Sequence, residues 1–523
     1  MKKQIVFVLI TLISTVLVNT GFAFDQSREA IFVKAPSPEY APPPEENFGL
    51  VPLSIDLTHI GNMEIGKDEE LPASYDLRTL GKVTPVENQN PCGACWAFAT
   101  TSSLESRILV QESITYDFSE QNIVACCDDL CLADLCPITC DSRGNIVGST
   151  NHLSRKGTVS DLDDPYTCHT DCSADPACNY GLSMDKNVTG WRIVCSNPDT
   201  IAIQNAVYNY GGLYCSMYAS FPGFLSYDGT DVLYYTGSED TNHAVTIVGW
   251  DDDMAHSGGY GAWIVKNSWG TGWGENGFFY IAYDSARIGT GASYLEYQDY
   301  DPAKTVLYYD DHGMSGTAGC GSDTVWGAVR FNPATSGYLT SVDFWAVDDN
   351  MTYDIYVYDS WTANAPADLL HSQTGGSLTE AGYYSVPLTS PVAVTAGDEF
   401  VVVIKFVCSD YTWPASIDTC SPIAVDKCYL SCYGSAWIHV GQGEYGWDIG
   451  IRARVEEIVL CEGDFDGDND VDGSDLAVFA ADFGRTDCTG SPDPCEGDFD
   501  VDGDVDGSDL AVFAADFGRT DCP

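Results

Sequence analysis

The sequence predicts three folded parts in series: an α+β region rich in cysteine, an all-β sandwich, and a small helical module made of two acidic repeats. Three observations predict this. Mixed, cysteine-rich sequence of globular composition runs from Leu71 to about Tyr300. Runs rich in Val, Ile and Tyr, separated by Gly, Pro, Asn and Asp, fill residues 303–457. The stretch CEGDFDGDNDVDGSDLAVFAADFGRTDC at Cys461–Cys488 returns almost unchanged at Cys495–Cys522, a period of 34 residues.

The chain has 523 residues with 44% hydrophobic and 12% aromatic content, enough to build several cores. Its formal charge is −54, from 77 acids against 23 bases, which argues against nucleic acid or an anionic membrane as partner. Lys2 and Lys3 followed by the apolar run Ile5–Val18 and the small-residue site Gly21-Phe22-Ala23 read as a secretory signal peptide over 1–23. That run is short for a membrane span, so the expectation is a protein outside the cell and free of the membrane after signal cleavage. Residues 24–70 are polar and Pro-rich (APSPEYAPPPEENFG) and read as an extended segment.

The boundaries that follow are 71–302 for the α+β region, 303–459 for the sandwich and 460–523 for the repeats. Within the sandwich, strands are expected at Asp354–Trp361, Glu399–Val407 and Gly450–Val455. The 21 cysteines divide into 12, five and four over the three regions. An odd total in an exported chain leaves at least one free thiol. If one cysteine of the first region stays free for chemistry, the first two regions each hold an odd number, which favours one disulfide between them.

The chemistry concentrates at QNPCGACWAFAT (Gln89–Thr100). Cys92 and Cys95 could be half of a zinc site, a thiol redox pair, or a nucleophile beside a structural cysteine. Zinc needs a second pair at matched spacing, which the later cysteines do not supply. A redox pair belongs in a small βαβ unit, unlike this loop-rich surrounding. After Cys95, Ala97, Thr101, Leu104 and Ile108 recur at helical spacing, so Cys95 opens a helix. A helix N-terminus favours the thiolate, which still needs a proton-carrying partner such as His.

QNPCGACWAF resembles the active-site signature of papain-like cysteine peptidases. Further matches follow in order: LPASYDLR (Leu71–Arg78) at the expected mature start, FSEQNIVACC (Phe118–Cys127), TNHAVTIVGW (Thr241–Trp250) and WIVKNSWGTGWGENGFFYIAY (Trp263–Tyr283). The resemblance implies a two-lobed peptidase over 71–302 with Cys95 as nucleophile, His243 as acid/base and Asn267 as the residue orienting the imidazole. It implies that Gln89, with the Cys95 backbone N–H, forms the oxyanion hole. Trp269 would cover the His–Asn hydrogen bond, and Cys92 would be disulfide-bonded. Substrate contacts are expected at Ala244, as floor of an apolar pocket, and at Gly144 in CDSRGNIVGST, the nearest match to the family's substrate-binding glycines. The family's long helical propeptide is absent. Residues 24–70 are expected to lie in the cleft, running opposite to a substrate, and to block it until removed.

Residues 303–457 resemble the lectin-like domain that follows some prokaryotic papain-like peptidases, which makes carbohydrate a candidate ligand. Aromatics such as Trp361, Trp413 and Trp437 fit either stacking on sugars or the core and surface of a sandwich equally well, and no binding residue is assigned. In the repeats, Asp464, Asp466, Asp468, Asp470, Asp472 and Asp475 hold positions 1, 3, 5, 7, 9 and 12 of a calcium loop. Asp498, Asp500, Asp502, Asp504, Asp506 and Asp509 do so in the second. Asn469 and Gly503 stand at the sharp-turn position. With Asp at position 12 and only a following helix, the tandem pair resembles a dockerin module, which implies two Ca²⁺ ions and a cohesin-type partner on a scaffold or surface. Cys461–Cys488 and Cys495–Cys522 are expected to staple one repeat each.

The alternatives are an adhesion or scaffold-binding protein with an inert peptidase fold, and a thiol oxidoreductase using Cys92 and Cys95. A protein or peptide substrate is the leading expectation, with no cofactor for catalysis.

Overall fold

A computed structural model describes residues 32–34, 48–53, 55–63, 71–126, 143–167, 178–179, 181–420, 422–443, 445–458, 461–488, 495–520 and 522. The signal-peptide reading and the Pro-rich run at 35–47 fall outside these residues. Among those described, no helix is long and apolar enough to cross a membrane.

The elements run β1 (Phe32–Lys34), β2 (Ser74–Asp76), α1 (Cys95–Glu112), α2 (Glu120–Ala125), α3 (Ile146–Arg155), β3 (Lys186–Cys195), α4 (Thr200–Tyr210), β4 (Leu213–Met217), β5 (His243–His256), β6 (Gly259–Lys266), β7 (Phe278–Ala282) and β8 (Thr290–Asp299). Then come β9 (Lys304–Leu307), β10 (Gly316–Gly319), β11 (Thr324–Phe331), β12 (Gly337–Ala346), β13 (Thr352–Thr362), β14 (Ala365–Ser377), β15 (Gly382–Val394) and β16 (Phe400–Val407). The last are β17 (Ala415–Asp418), β18 (Cys428–Ser431), β19 (Ile438–Val440), β20 (Asp448–Ile449), β21 (Ile451–Glu457), α5 (Gly473–Asp482) and α6 (Gly507–Asp516).

Cys95–Leu109 of α1 are buried without interruption. The 3.6-residue pattern predicts an amphipathic helix opened by Cys95, and α1 starts there. The observed helix is covered on every side, which is why small residues (Ala97, Ala99, Ser102, Ser103, Ser106) fill its other faces. Polar side chains start the shorter helices: Ser119 caps α2, Asn145 caps α3 and Asp199 caps α4, each accepting from first-turn N–H groups.

The sheet order is β7-β6-β5-β4-β8-β3-β15-β12-β21-β9, with β2 on β5. This sheet belongs to both expected domains. β3 pairs with β15 through Gly382↔Arg192, Tyr383↔Trp191 and Tyr384↔Gly190. Glycine is required at the join: Gly382 has φ +142°, and a Cβ there would lie 1.8 Å from the Trp191 carbonyl oxygen. A second sheet, β14-β13-β16-β11-β18-β19, faces the β15-β12-β21 part, and a short one has order β1-β10-β17-β20.

One apolar core continues from Leu104 and Ile108 through Trp191 and Trp345 to Val402 and Ile404. Two buried ion pairs stand at the same seam. Arg452 is paired with Asp310 at 2.8 Å and also donates to Asn151 and Ser154 of α3. Arg454 is paired with Asp343 at 2.7 Å and donates to Asn187 of β3 at 2.7 Å. The peptidase-like and sandwich regions therefore share a sheet, a core and two desolvated charge pairs. Sequence segmentation alone does not show this.

Cys320 pairs with Cys432 and Cys126 with Cys178, while Cys95, Cys195, Cys215, Cys408 and Cys428 are free. Cys420 is disulfide-bonded, so its partner is not within the sandwich. In the repeats the pairing corrects the expectation: Cys461 bonds Cys522 and Cys488 bonds Cys495. The repeats pack face to face around Val471, Phe479, Val505 and Phe513, which brings the start of the first beside the end of the second. Each disulfide therefore joins the two repeats.

Candidate active site

The site forms where α1 meets β5 and the loop after β6. Cys95 opens α1 and is fully buried. His243 opens β5, and the Asn267–Trp269 turn follows β6. The imidazole Nε2 donates to Asn267 Oδ1 at 2.8 Å, and the Ser268 N–H donates to the same oxygen at 2.9 Å. His243 Nδ1 is buried with no partner of its own. The Trp269 ring lies 5.2 Å from the imidazole and shields it.

Gln89 is buried, and its amide is held from both ends. Oε1 accepts from Ser268 Oγ at 2.6 Å, and Nε2 donates to the Cys92 carbonyl at 2.9 Å. Nε2 also donates to the Phe48 carbonyl at 3.1 Å, and the Cys95 N–H donates to that oxygen at 3.4 Å. The two expected oxyanion-hole donors thus converge on one carbonyl oxygen, supplied by the segment before Leu71. Ser268 is the residue sequence reading missed. Its neighbour Asn267 was legible from the motif, but a serine's reach back to Gln89 is a tertiary fact.

The same segment lines the cleft. Gly144 N–H donates to Gly49 O at 3.0 Å, and Val51 N–H donates to Gly144 O at 2.9 Å, a parallel bridge. Gly144 must lack a side chain, because a Cβ would lie 2.5 Å from the Trp96 indole. Gly49 has φ +105°, and a Cβ there would lie 1.8 Å from the Gly93 carbonyl oxygen. Phe48 packs 5.2 Å from His243 and 5.3 Å from Trp269.

Burial decides the charge state here. It pushes the Cys95 thiol up to about 12, against hydrogen bonds led by the Ala244 N–H. It pushes His243 down to about 4, against the Asn267 bond. Under the covering segment the pair is neutral thiol and neutral imidazole.

Ala244 lies behind Cys95, its N–H 3.4 Å from Sγ, and is absent from the lining of the large cavity beside the cleft. That cavity, about 290 Å³, has Ile146, Tyr214, Ser216, Thr290 and Gly291 on the peptidase side and Leu50–Leu53 as roof. Cys92 is disulfide-bonded and Cys95 is free, so the two do not form a dithiol pair.

In the repeats, one carboxylate oxygen each of Asp464, Asp466 and Asp475 lies within 4.8 Å of the others, as do those of Asp470, Asp472 and Asp475. Asp498, Asp500 and Asp509, and Asp504, Asp506 and Asp509, repeat the arrangement, while Asp468 and Asp502 stand outside these groups. Asn469 (φ +74°) and Gly503 (φ +103°) make the left-handed turns. Asp472 and Asp506 also close capping boxes with Asp475 and Asp509.

Residues 71–296 match the papain family cysteine protease model and residues 306–453 the lectin-like domain model. The chain therefore carries a papain-family cysteine protease domain followed by a lectin-like domain. It is similar to cathepsin L2 of Homo sapiens, 32% identical over 43% of this chain and 66% of that protein. The probable cysteine protease RD19B of Arabidopsis thaliana is 34% identical over 41% and 58%. The chain spans about three fifths of the length of these curated relatives. In fold it is similar to the cysteine protease and lectin-like domains of Cwp84, a surface-layer-associated protein of Clostridium difficile. That likeness has TM-score 0.62 at 22% identity and covers 77% of this chain and 93% of that one.

Proposed function

We propose that this chain is an exported cysteine endopeptidase made in a latent form, with residues 24–70 as its pro-segment. The observation that carries this reading is the Phe48 carbonyl oxygen held by the Cys95 N–H and Gln89 Nε2, beside a free Cys95 and an Asn267-bonded His243. A scissile carbonyl placed there would have its oxygen where negative charge develops.

The chemistry follows from these atoms. Cys95 Sγ, its proton passed to His243 Nδ1, adds to the carbonyl carbon. The electron pair moves to the oxygen, which the Cys95 N–H and Gln89 Nε2 stabilise. As the C–N bond breaks, His243 Nδ1 returns the proton to the leaving amine, giving a thioester on Cys95. Water then adds with His243 as base, and the acid product leaves. Asn267 keeps the imidazole turned by accepting from Nε2. The pro-segment bridges Gly144 in parallel, the polarity opposite to that of a strand pairing there antiparallel. The Phe48–Gly49 bond is thereby presented in the wrong direction for cleavage.

Treatment of the mature enzyme with a thiol-reactive peptide epoxide should label Cys95 and abolish hydrolysis of a protein substrate. Cys95→Ser with Cys92 intact should be neither labelled nor active. Hydrolysis by the Cys95→Ser protein would refute the assignment. The redox reading finds no support in a bonded Cys92 beside a free Cys95.

We further read the repeats as a dockerin-like module holding two Ca²⁺ ions and docking to a cohesin-type surface or scaffold protein. The donor set fits: all oxygen, with the buried Asp470 Oδ1 and Asp498 Oδ1 lacking any hydrogen-bond partner. Asp464, Asp466, Asp470 and Asp475 would hold one ion, and Asp498, Asp500, Asp504 and Asp509 the other, each ion neutralising clustered carboxylates, while the expected Asp468 and Asp502 lie outside the clusters. Far-UV circular dichroism indifferent to a calcium chelator would overturn this. The lectin-like domain is the candidate carbohydrate-binding part, and a secreted, surface-held location follows from the export signal and the tail.

A further inference from the structure

The pro-segment touches two domains, and the second contact is not at the active site. Its strand β1 adds to the edge of the lectin-like domain's short sheet, Phe32↔Gly319, Val33↔Ala318 and Lys34↔Thr317. After crossing the cleft at Phe48–Val51 the segment returns to the same domain. The His59 ring stacks on Tyr411 at 4.0 Å and 4°, and His59 Nε2 lies 2.8 Å from the Val347 carbonyl oxygen. Gly61 passes so close to Asp349 that a Cβ would lie 2.7 Å from its carboxylate.

The two landing points are one patch, since the Tyr411 hydroxyl is hydrogen-bonded at 2.9 Å to Thr317 of β10, the strand that β1 joins. Leu50, Ile60, Ala318 and Tyr411 belong to one apolar cluster. Beyond Gly61 the segment turns back to the peptidase, with Asn62 Nδ2 donating to Asp199 at 2.8 Å and Met63 N–H to Val194 O at 2.8 Å.

We propose that the lectin-like domain is the docking surface for the pro-segment, and that it holds the cut segment in the cleft as a non-covalent inhibitor. Release from the β10/Tyr411 patch, rather than peptide cleavage, is then the activating step. This rests on the peptidase reading above and adds its regulation. The geometry requires it because a cut between 63 and 71 severs none of the contacts just described. Main-chain pairing at β10, the stacked ring and the cleft hydrogen bonds all lie on the N-terminal side of the cut.

The test uses the full chain carrying a specific-protease site within residues 64–70, folded and then cut. The cut wild type should keep its pro-segment on gel filtration and stay latent, with activity appearing at the rate of segment loss. Tyr411→Ala should lose the segment about 3- to 10-fold faster, as expected for removing one aromatic stack. His59→Ala, which leaves the mature chain unaltered, should speed release in the same direction and guards against a folding defect in Tyr411→Ala. Full activity immediately on cutting, or equal release rates in all three proteins, would overturn the proposal. Segment release in the expected order with no hydrolysis at any time would support the docking surface and sink the catalytic reading instead.

Discussion

Gly49→Ala is the sharpest perturbation of the latent state. Gly49 sits at φ +105° with its α-carbon so close to Gly93 that an added Cβ would lie 1.8 Å from the Gly93 carbonyl oxygen. The Cβ position is fixed by the Gly49 backbone and the Gly93 oxygen is itself backbone, so no side chain can move aside. The left-handed conformation costs an alanine about 1 kcal/mol. Shifting the segment also releases the two hydrogen bonds to the Phe48 carbonyl, each worth about 1 kcal/mol. The sum, about 3 kcal/mol, raises the open fraction of the uncut protein roughly 10²-fold. The assay is the initial rate at which a peptide epoxide labels Cys95 in uncut chain, with gel analysis confirming that the chain is intact. A Gly49→Ala protein that labels within threefold of wild type would show that the close approach at Gly93 does not hold the segment.

Ser268→Ala removes the hydroxyl that donates to Gln89 Oε1, so kcat/KM should fall about 3- to 10-fold, through kcat rather than KM. An unchanged kcat would mean that Gln89 is aimed by its other bonds alone. Burial disfavours both charged forms of the Cys95–His243 pair, raising the thiol toward 12 and lowering the imidazole toward 4. Re-solvation on loss of the pro-segment should therefore lower the first and raise the second. Iodoacetamide alkylation of Cys95 should then reach its half-maximal rate at lower pH in the mature enzyme than in the uncut chain, and a coincident profile would refute this. Arg452→Met leaves Asp310 buried without its partner at the seam between the domains, and should cost about 3–5 kcal/mol in denaturant unfolding. A loss under 1 kcal/mol would show that Asp310 finds water or another donor.

The sequence by itself determined the chemistry, because catalytic chemistry depends on residue identity at fixed local spacing. Cys95 at the head of a helix, His243 among β-formers, Asn267 before Ser-Trp and the aspartates at alternate positions are all local patterns, and the structure places the first three with Gln89 at one site. Three-dimensional packing decided what spacing cannot encode. The Gly382–Trp191 approach fuses two sheets that the sequence separates by more than a hundred residues, and the Arg452 and Arg454 pairs lock that seam from strands that read as ordinary sandwich. The repeats are nearly equal in sequence, and only their face-to-face core shows that each disulfide crosses between them. Likewise the described residues on either side of the Pro-rich run, Phe32–Lys34 and Phe48–Leu53, carry no periodicity to read. Their fate as a strand on one domain and a plug in the other depends on surfaces assembled from distant residues, the Cys95 and Gln89 donors and the β10/Tyr411 patch, which exist only once the chain has folded.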